Sequence, residues 1–265
     1  MTPRTAPAPD RATVVQRLRA AGCVFAEQEA ALLLGTGAAG PDLDRLVDRR
    51  AAGAPLEHVL GWVEFCGMRL AVDEGVFVPR RRSQFLADRA ARLAGAAGPA
   101  PVVVDLCCGA GALGAVVAAR VPGARLHASE IDPAAVRCAR RNVRPLGGRV
   151  HAGDLYDPLP RDLAGQVDLL LANAPYVPTG EIDFMPAEAR LHEAAVALDG
   201  GDDGLHVLRR VVAGAPAWLA PGGVLLMECA ERQAGALADS VTAAGLSPRV
   251  ERDDDLGATV VLARR

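Results

Sequence analysis

Three acidic residues stand at or just beyond the ends of apolar runs, where a carboxylate can meet a bound ligand. They are Asp105 after Val102-Val103-Val104, Glu130 at the end of LHASE, and Asp154 within HAGDLYD. Between the first two lies a glycine-rich turn whose Gly109, Gly111 and Gly114 match G-x-G-x-x-G. Glycines at that spacing permit a tight turn and close backbone approach, and the helix that follows aims free N–H groups at a ligand. Glu130 lies roughly twenty residues past the loop, where an acid accepts both hydroxyls of a ribose. These features suit a nicotinamide dinucleotide and S-adenosylmethionine equally. Asp154 is placed to meet an adenine amino group, and Asp105 to attract the cationic sulfonium amino acid. A dinucleotide site needs neither, and acids there oppose a pyrophosphate. The three acids together favour S-adenosylmethionine.

A second cluster, Asn173-Ala174-Pro175-Tyr176, follows the apolar run VDLLLA. A planar amide or exocyclic amine offers two N–H donors. The Asn173 side-chain oxygen and the Ala174 carbonyl can accept one each, while the Tyr176 ring covers the plane. Pro175 stiffens the segment and removes a competing N–H. Such an arrangement suits methyl transfer to a poorly nucleophilic nitrogen, where orientation supplies much of the rate.

These residues need a scaffold that ends several strands side by side. Residues 11–60 carry a helical pattern, with Val14, Val15, Leu18 and Ala21 on one apolar face and further helices at 29–34 and 43–52. Gly35, Gly37, Gly40 and Pro41 interrupt it, and Asp42 helps start the next helix. Residues 63–78 alternate apolar and polar around Gly67 and Asp73-Glu74-Gly75, the mark of strands with turns. A helix over 83–93 leads into a Gly/Pro-rich break at 95–101. Strands at 101–106, 125–129, 149–152, 167–172 and 224–228 then alternate with helices at 112–120, 133–141, 205–213 and 232–244. Residues 249–252 and 259–263 make a closing antiparallel pair. This order implies an α/β fold with a mostly parallel sheet and ligands at the carboxyl ends of its strands.

Composition removes several classes of function. The 265 residues are 51% hydrophobic and 23% charged, ample for a packed core. No run approaches the roughly 20 apolar residues of a membrane span. The opening MTPRTAPAPD, read as a disordered lead-in, has no apolar signal core, so the cytoplasm is the expected compartment. A net charge of −3 and few aromatics argue against stable nucleic-acid binding. All 29 basic residues are Arg, which excludes lysine Schiff-base and P-loop chemistry. Six cysteines and five histidines show no metal-ligand spacing, and the thiols are expected to be reduced packing groups.

The loop DLCCGAG, the acid Glu130, GDL at 153–155 and NAPY at 173–176 resemble the glutamine N5-methyltransferases that act on peptide-chain release factors. The resemblance extends to PLEHVLGWVEFCGMRLAVDEGVFVPR (55–80) and PAEARLHEAAVALDGGDDGL (186–205). It implies a class I S-adenosylmethionine-dependent methyltransferase, Rossmann-like, with a small helical substrate-recognition domain over 1–61. A β-hairpin and linker would occupy 62–82 and the methyltransferase domain 83–265. It further implies that Cys107, Ile131, Leu155 and Arg80 join Asp105, Gly109, Gly111, Glu130, Asp154 and Asn173 around the cofactor. Asn173, Ala174, Pro175 and Tyr176 would then carry catalysis, with a protein substrate presenting a Gly-Gly-Gln loop.

Three departures mark a divergent side branch. Cys107 stands where the family loop has its first glycine, Ala174 where the tetrapeptide has Pro, and the PRPxTE element reads Pro79-Arg80-Arg81-Arg82-Ser83-Gln84. The last exchange loses an acid and gains positive charge. Rival readings are a methyltransferase of nucleobase exocyclic amines or of a small-molecule nitrogen, a nicotinamide oxidoreductase, and a binding protein that has lost turnover.

Overall fold

The computed structural model describes residues 10–265; Met1 to Pro9, most of the expected lead-in, lie outside the described residues. Four helices come first: α1 (Arg11–Ala20), α2 (Ala26–Leu34), α3 (Pro41–Ala51) and α4 (Leu56–Leu60). The Asp10 carboxylate caps α1 by accepting the Thr13 N–H at 2.8 Å. Helices this short are marginal alone, so their packing decides whether they form. Val14 and Leu18 of α1 bury against Ala26, Ala30 and Leu33 of α2, Leu43 and Val47 of α3 and Val59 of α4. Arg50 pairs with Glu29 at 2.6 Å, both side chains about one-tenth exposed, and also reaches Glu188.

A hairpin follows, β1 (Trp62–Phe65) and β2 (Met68–Ala71), paired from Trp62↔Ala71 to Phe65↔Met68. Cys66 and Gly67 both have positive φ (51° and 77°), as a two-residue turn with mirror-image geometry requires. The alternation expected through 78 stops being a strand after Ala71. Beyond it the backbone is irregular, pairing in an isolated bridge between Gly75 and Glu193, while Val72, Val76 and Val78 bury singly in the main core.

The remainder runs α5 (Ser83–Ala96), β3 (Val102–Leu106), α6 (Ala112–Arg120), β4 (Arg125–Glu130), α7 (Pro133–Val143), β5 (Arg149–Ala152) and β6 (Val167–Ala172). It continues with α8 (Ala187–His192), α9 (His206–Trp218), β7 (Leu219–Glu228), α10 (Ala234–Ala243), β8 (Ser247–Asp253) and β9 (Ala258–Arg264). The seven strands lie in the order β5-β4-β3-β6-β7-β9-β8. Neighbours are parallel except β9, which is antiparallel to both β7 and β8. Side chains alternate between two cores. Val103, Leu169 and Leu171 pack beneath α5 to α7, whereas Val104, Leu106, Leu170 and Leu225 meet α9 and α10. The chain leaves β3 toward β4 on one side and returns as β6 on the other. That switch point opens a crevice at the strands' carboxyl ends.

The glycine-rich turn is held close by α7. A Cβ on Gly111 would lie 2.8 Å from Val143 Cγ2, and its φ of +78° disfavours any side chain. Gly111→Ala is therefore expected to cost about 1–3 kcal/mol, read as a lower urea midpoint with an unchanged slope.

Candidate active site

The crevice is a cavity of about 1080 Å³ including its open mouth, at the carboxyl ends of the strands. Cys107 and Gly109 line it from the loop after β3, and Ser129, Glu130 and Ile131 from the end of β4. Asp154 and Leu155 follow β5, Asn173 and Pro175 follow β6, and Phe77, Ser83 and Arg210 close it from outside the sheet.

Glu130 ends β4 almost fully buried, and its carboxylate organises the loop. Oε2 accepts the Gly109 N–H at 2.8 Å, and Oε1 accepts those of Ile131 at 2.8 Å and Asp132 at 3.0 Å. Burial raises its pKa, and the three N–H donors oppose that rise. Cys107 sits at φ 52° and Leu155 at φ 44°, in the left-handed region where a non-glycine residue is strained by roughly 1–2 kcal/mol. This conformation explains why glycine suits the position Cys107 holds. Burial and the nearby Glu130 and Asp105 carboxylates push the Cys107 thiol up, and Cys108 is raised by the same causes. Both stay protonated and act as packing groups.

Asp105 stands behind the loop and off the cavity wall. Its Oδ2 accepts the Gly114 N–H at 2.9 Å, while Oδ1 is buried without a partner. It therefore braces the start of α6; strand alternation points it into the layer beneath that helix. Burial pushes its carboxyl up to about 7. Asp154 lines the cavity in an ion pair with Arg210 at 2.5 Å.

On the β6 side, Asn173 Nδ2 donates to Ser83 Oγ at 3.2 Å. Among the described residues no hydrogen bond is donated to Asn173 Oδ1 or to the Ala174 carbonyl. Tyr176 points away from the cofactor cavity: its hydroxyl donates to Glu228 Oε1 at 2.9 Å and accepts from Arg82 at 2.6 Å. Its carbonyl accepts from Gln233, whose amide also donates to the Asp203 carbonyl. Gly204 lets this happen, since a Cβ there would come within 2.2 Å of the Tyr176 oxygen.

Of the residues expected at the site, the cavity gathers Cys107, Gly109, Glu130, Ile131, Asp154, Leu155, Asn173 and Pro175. Asp105, Gly111, Ala174, Tyr176 and Arg80 lie off its lining. Arg80 instead donates to both oxygens of the buried Glu193, at 2.6 and 2.7 Å, and covers the Phe77 ring. Sequence reasoning missed Ser83 as the partner of Asn173, Arg210 as that of Asp154, and Glu228 and Gln233 behind the tetrapeptide. Glu228 carried a readable signal, a lone acid ending the apolar strand VLLME; the other three pair across long sequence separations.

The cavity presents three carboxylates, Glu130, Asp132 and Asp154, against one guanidinium, Arg210, and the unpartnered Ser129 Oγ is buried in its wall. This balance fits a cationic ligand with hydroxyl and amine groups and opposes a pyrophosphate. The fold is that of a class I S-adenosylmethionine-dependent methyltransferase. Residues 72–203 match the family model of the methyltransferase small domain. A release factor glutamine methyltransferase of Streptomyces coelicolor is 38% identical over 202 residues, covering 74% of this chain and 72% of its own. A 4-amino-L-phenylalanine/4-methylamino-L-phenylalanine methyltransferase of Streptomyces pristinaespiralis is 41% identical over 202 residues, covering 74% and 68%. The solved structure of a methyltransferase from Pyrococcus furiosus shares the fold, with a TM-score of 0.56, 16% identity, and coverage of 75% of this chain and 89% of that one. The chain belongs to the release factor glutamine methyltransferase family, and S-adenosylmethionine is its cofactor. Among the described residues no helix is long and apolar enough to cross a membrane.

Two outcomes follow from this geometry. Glu130→Ala should weaken S-adenosylmethionine binding by roughly 1.5–3 kcal/mol, the scale of charged hydrogen bonds; calorimetry showing unchanged affinity would reject that contact. Burial lets Asp105 hold its proton to about pH 7 when folded, well above the ordinary carboxylate value of about 3.9. The folded state then binds more protons than the unfolded one between those values, so stability falls as pH rises through that window. Relative to Asp105→Asn, the wild type should lose up to about 1.4 kcal/mol per pH unit there. Parallel denaturation profiles for the two proteins would contradict it.

Proposed function

We propose that the enzyme methylates the side-chain amide nitrogen of a glutamine presented by a protein, such as the Gly-Gly-Gln loop of a peptide-chain release factor. The observation that carries this reading is the Asn173 side chain on the cavity wall, held through Nδ2 by Ser83 with Oδ1 left to accept. S-adenosylmethionine supplies the electrophilic methyl group. Glu130 is assigned to the ribose hydroxyls and Asp154 to the adenine edge. Asn173 Oδ1 and the Ala174 carbonyl then hold the two amide hydrogens, leaving the nitrogen turned toward the donor. No strong base is needed beforehand, because the nitrogen becomes acidic only as the methyl arrives. Tyr176 is tied to Glu228 and Arg82, so its part here is to hold the loop's far end.

A glutamine side chain brings its amide on a stem long enough to enter the crevice. Asparagine is one methylene shorter and misplaces the nitrogen. We assign residues 1–61 to recognition of the partner as a separate domain. The supporting features are a core of its own and the exposed Val24 and Phe25 between α1 and α2.

A second reading is favoured by the Streptomyces pristinaespiralis relative, whose name specifies a free amino acid with an aromatic amine. Ala174 and the Arg81-Arg82 pair are departures compatible with a changed acceptor. Incubation with labelled donor and either a Gly-Gly-Gln protein or 4-amino-L-phenylalanine separates the two by mass spectrometry. The expected outcome is methyl on the glutamine amide, with the Gln→Asn acceptor slower by on the order of a hundredfold. Asn173→Ala should abolish turnover while donor affinity stays nearly intact, because the side chain acts mainly in the transition state. Methyl found on a nucleobase, a carboxylate or only the free amino acid would defeat the glutamine reading.

A further inference from the structure

We propose that Arg82 is a positioning residue for the acceptor segment, holding Tyr176 against the buried carboxylate of Glu228. The proposal rests on reading Asn173 to Tyr176 as the acceptor segment. Arg82 immediately precedes α5. Its Nε donates to Glu228 Oε1 at 3.1 Å and its Nη2 to the Tyr176 hydroxyl at 2.6 Å. The same hydroxyl donates to Glu228 Oε1 at 2.9 Å, which closes a three-membered network. The guanidinium also lies 5.7 Å from the Tyr176 ring centroid, within cation–π range.

Glu228 gives the network its consequence. Its side chain is 2% exposed and Oε2 has no partner, so the charge depends on whatever touches Oε1. Among the described residues Arg82 is the only cation in contact with it. A buried carboxylate stripped of its counterion is strongly unfavourable, whereas removing both partners together is tolerated. Glu228 ends β7 one residue beyond the Ala172↔Met227 pair, so β7 sets it beside the start of the acceptor segment. The next residue after Arg82, Ser83, holds Asn173. Two consecutive residues at the start of α5 thus grip the first and last members of the tetrapeptide. Arg82 acts through Tyr176 and lies off the cofactor cavity. Of the charges gained in the Arg80-Arg81-Arg82 run, that of Arg82 therefore has an internal partner and serves the loop.

The test compares Arg82→Gln, Glu228→Gln and the double variant in the full-length enzyme. The chain has two tyrosines, so ring-labelled Tyr gives two resolvable NMR signals. Arg82→Gln is expected to shift the Tyr176 signal and to lower kcat about tenfold or more, with donor affinity by calorimetry within about twofold of wild type. The double variant, uncharged at both places, should return the signal toward its wild-type position and recover kcat to within about threefold. Turnover is read on whichever acceptor the wild type methylates, so the result does not hinge on that acceptor being glutamine. An unmoved Tyr176 signal in Arg82→Gln, an unchanged kcat, or a double variant no better than the single one would overturn the proposal. If Arg82→Gln fails to fold, recovery of folding and turnover in the double variant supports the charge pairing, and failure to recover rejects it.

Discussion

The carboxylate of Glu130 accepts N–H groups from Gly109, Ile131 and Asp132, and through them β4, the glycine-rich loop and the start of α7 meet at one buried charge. A loop with left-handed residues at Cys107, Gly109 and Gly111 would otherwise have many shapes open to it. Drawing Gly109 toward β4 limits them, and Asp105 limits them further by accepting from Gly114 on the other side. The cavity inherits its shape from these two carboxylates. Part of its charge follows as well, since Glu130, which holds the loop backbone, also lines the cavity.

The opposite wall obeys a different constraint. Asn173 to Tyr176 leave the end of β6 with no regular structure, so side chains from distant elements position them. Ser83 takes the first residue, and Arg82, Glu228 and Gln233 take the last. Gly204 supplies the missing Cβ that lets Gln233 reach the Tyr176 carbonyl. The donor side thus relies on backbone amides gathered by carboxylates, while the acceptor side relies on side chains reaching a short loop. Substitutions should therefore divide: changes near Glu130 act on cofactor binding, and changes at the start of α5 act on turnover.

The helical segment before the hairpin is joined to this machinery by few polar ties. His58 Nε2 lies 2.8 Å from the Val76 carbonyl, Arg50 reaches Glu188, and Arg49 reaches Glu74. Its apolar core is built from its own residues. The ties run to α8 and to the stretch bearing Phe77, which lines the cavity.

Much of the fold was legible because its signals are local. Apolar runs alternating with amphipathic helices specify a parallel sheet, and glycines at 109, 111 and 114 between a strand and a helix specify the loop. Glu130, Asp154 and Asn173, read as polar groups at or just past strand ends, do line the crevice, whereas Glu228, which ends β7, does not. Residues 72–78 misled as a strand because their buried valines pack individually, a pattern alternation alone does not distinguish. Tertiary structure alone decided that Asp105 faces α6, that Arg80 pairs with Glu193, and that Tyr176 turns to Glu228 and Arg82. Each outcome depends on a partner at least nine residues away in the chain and in two cases more than fifty. Sequence spacing carries the direction of a side chain along its own element, but the partner that meets it is set by how the elements pack.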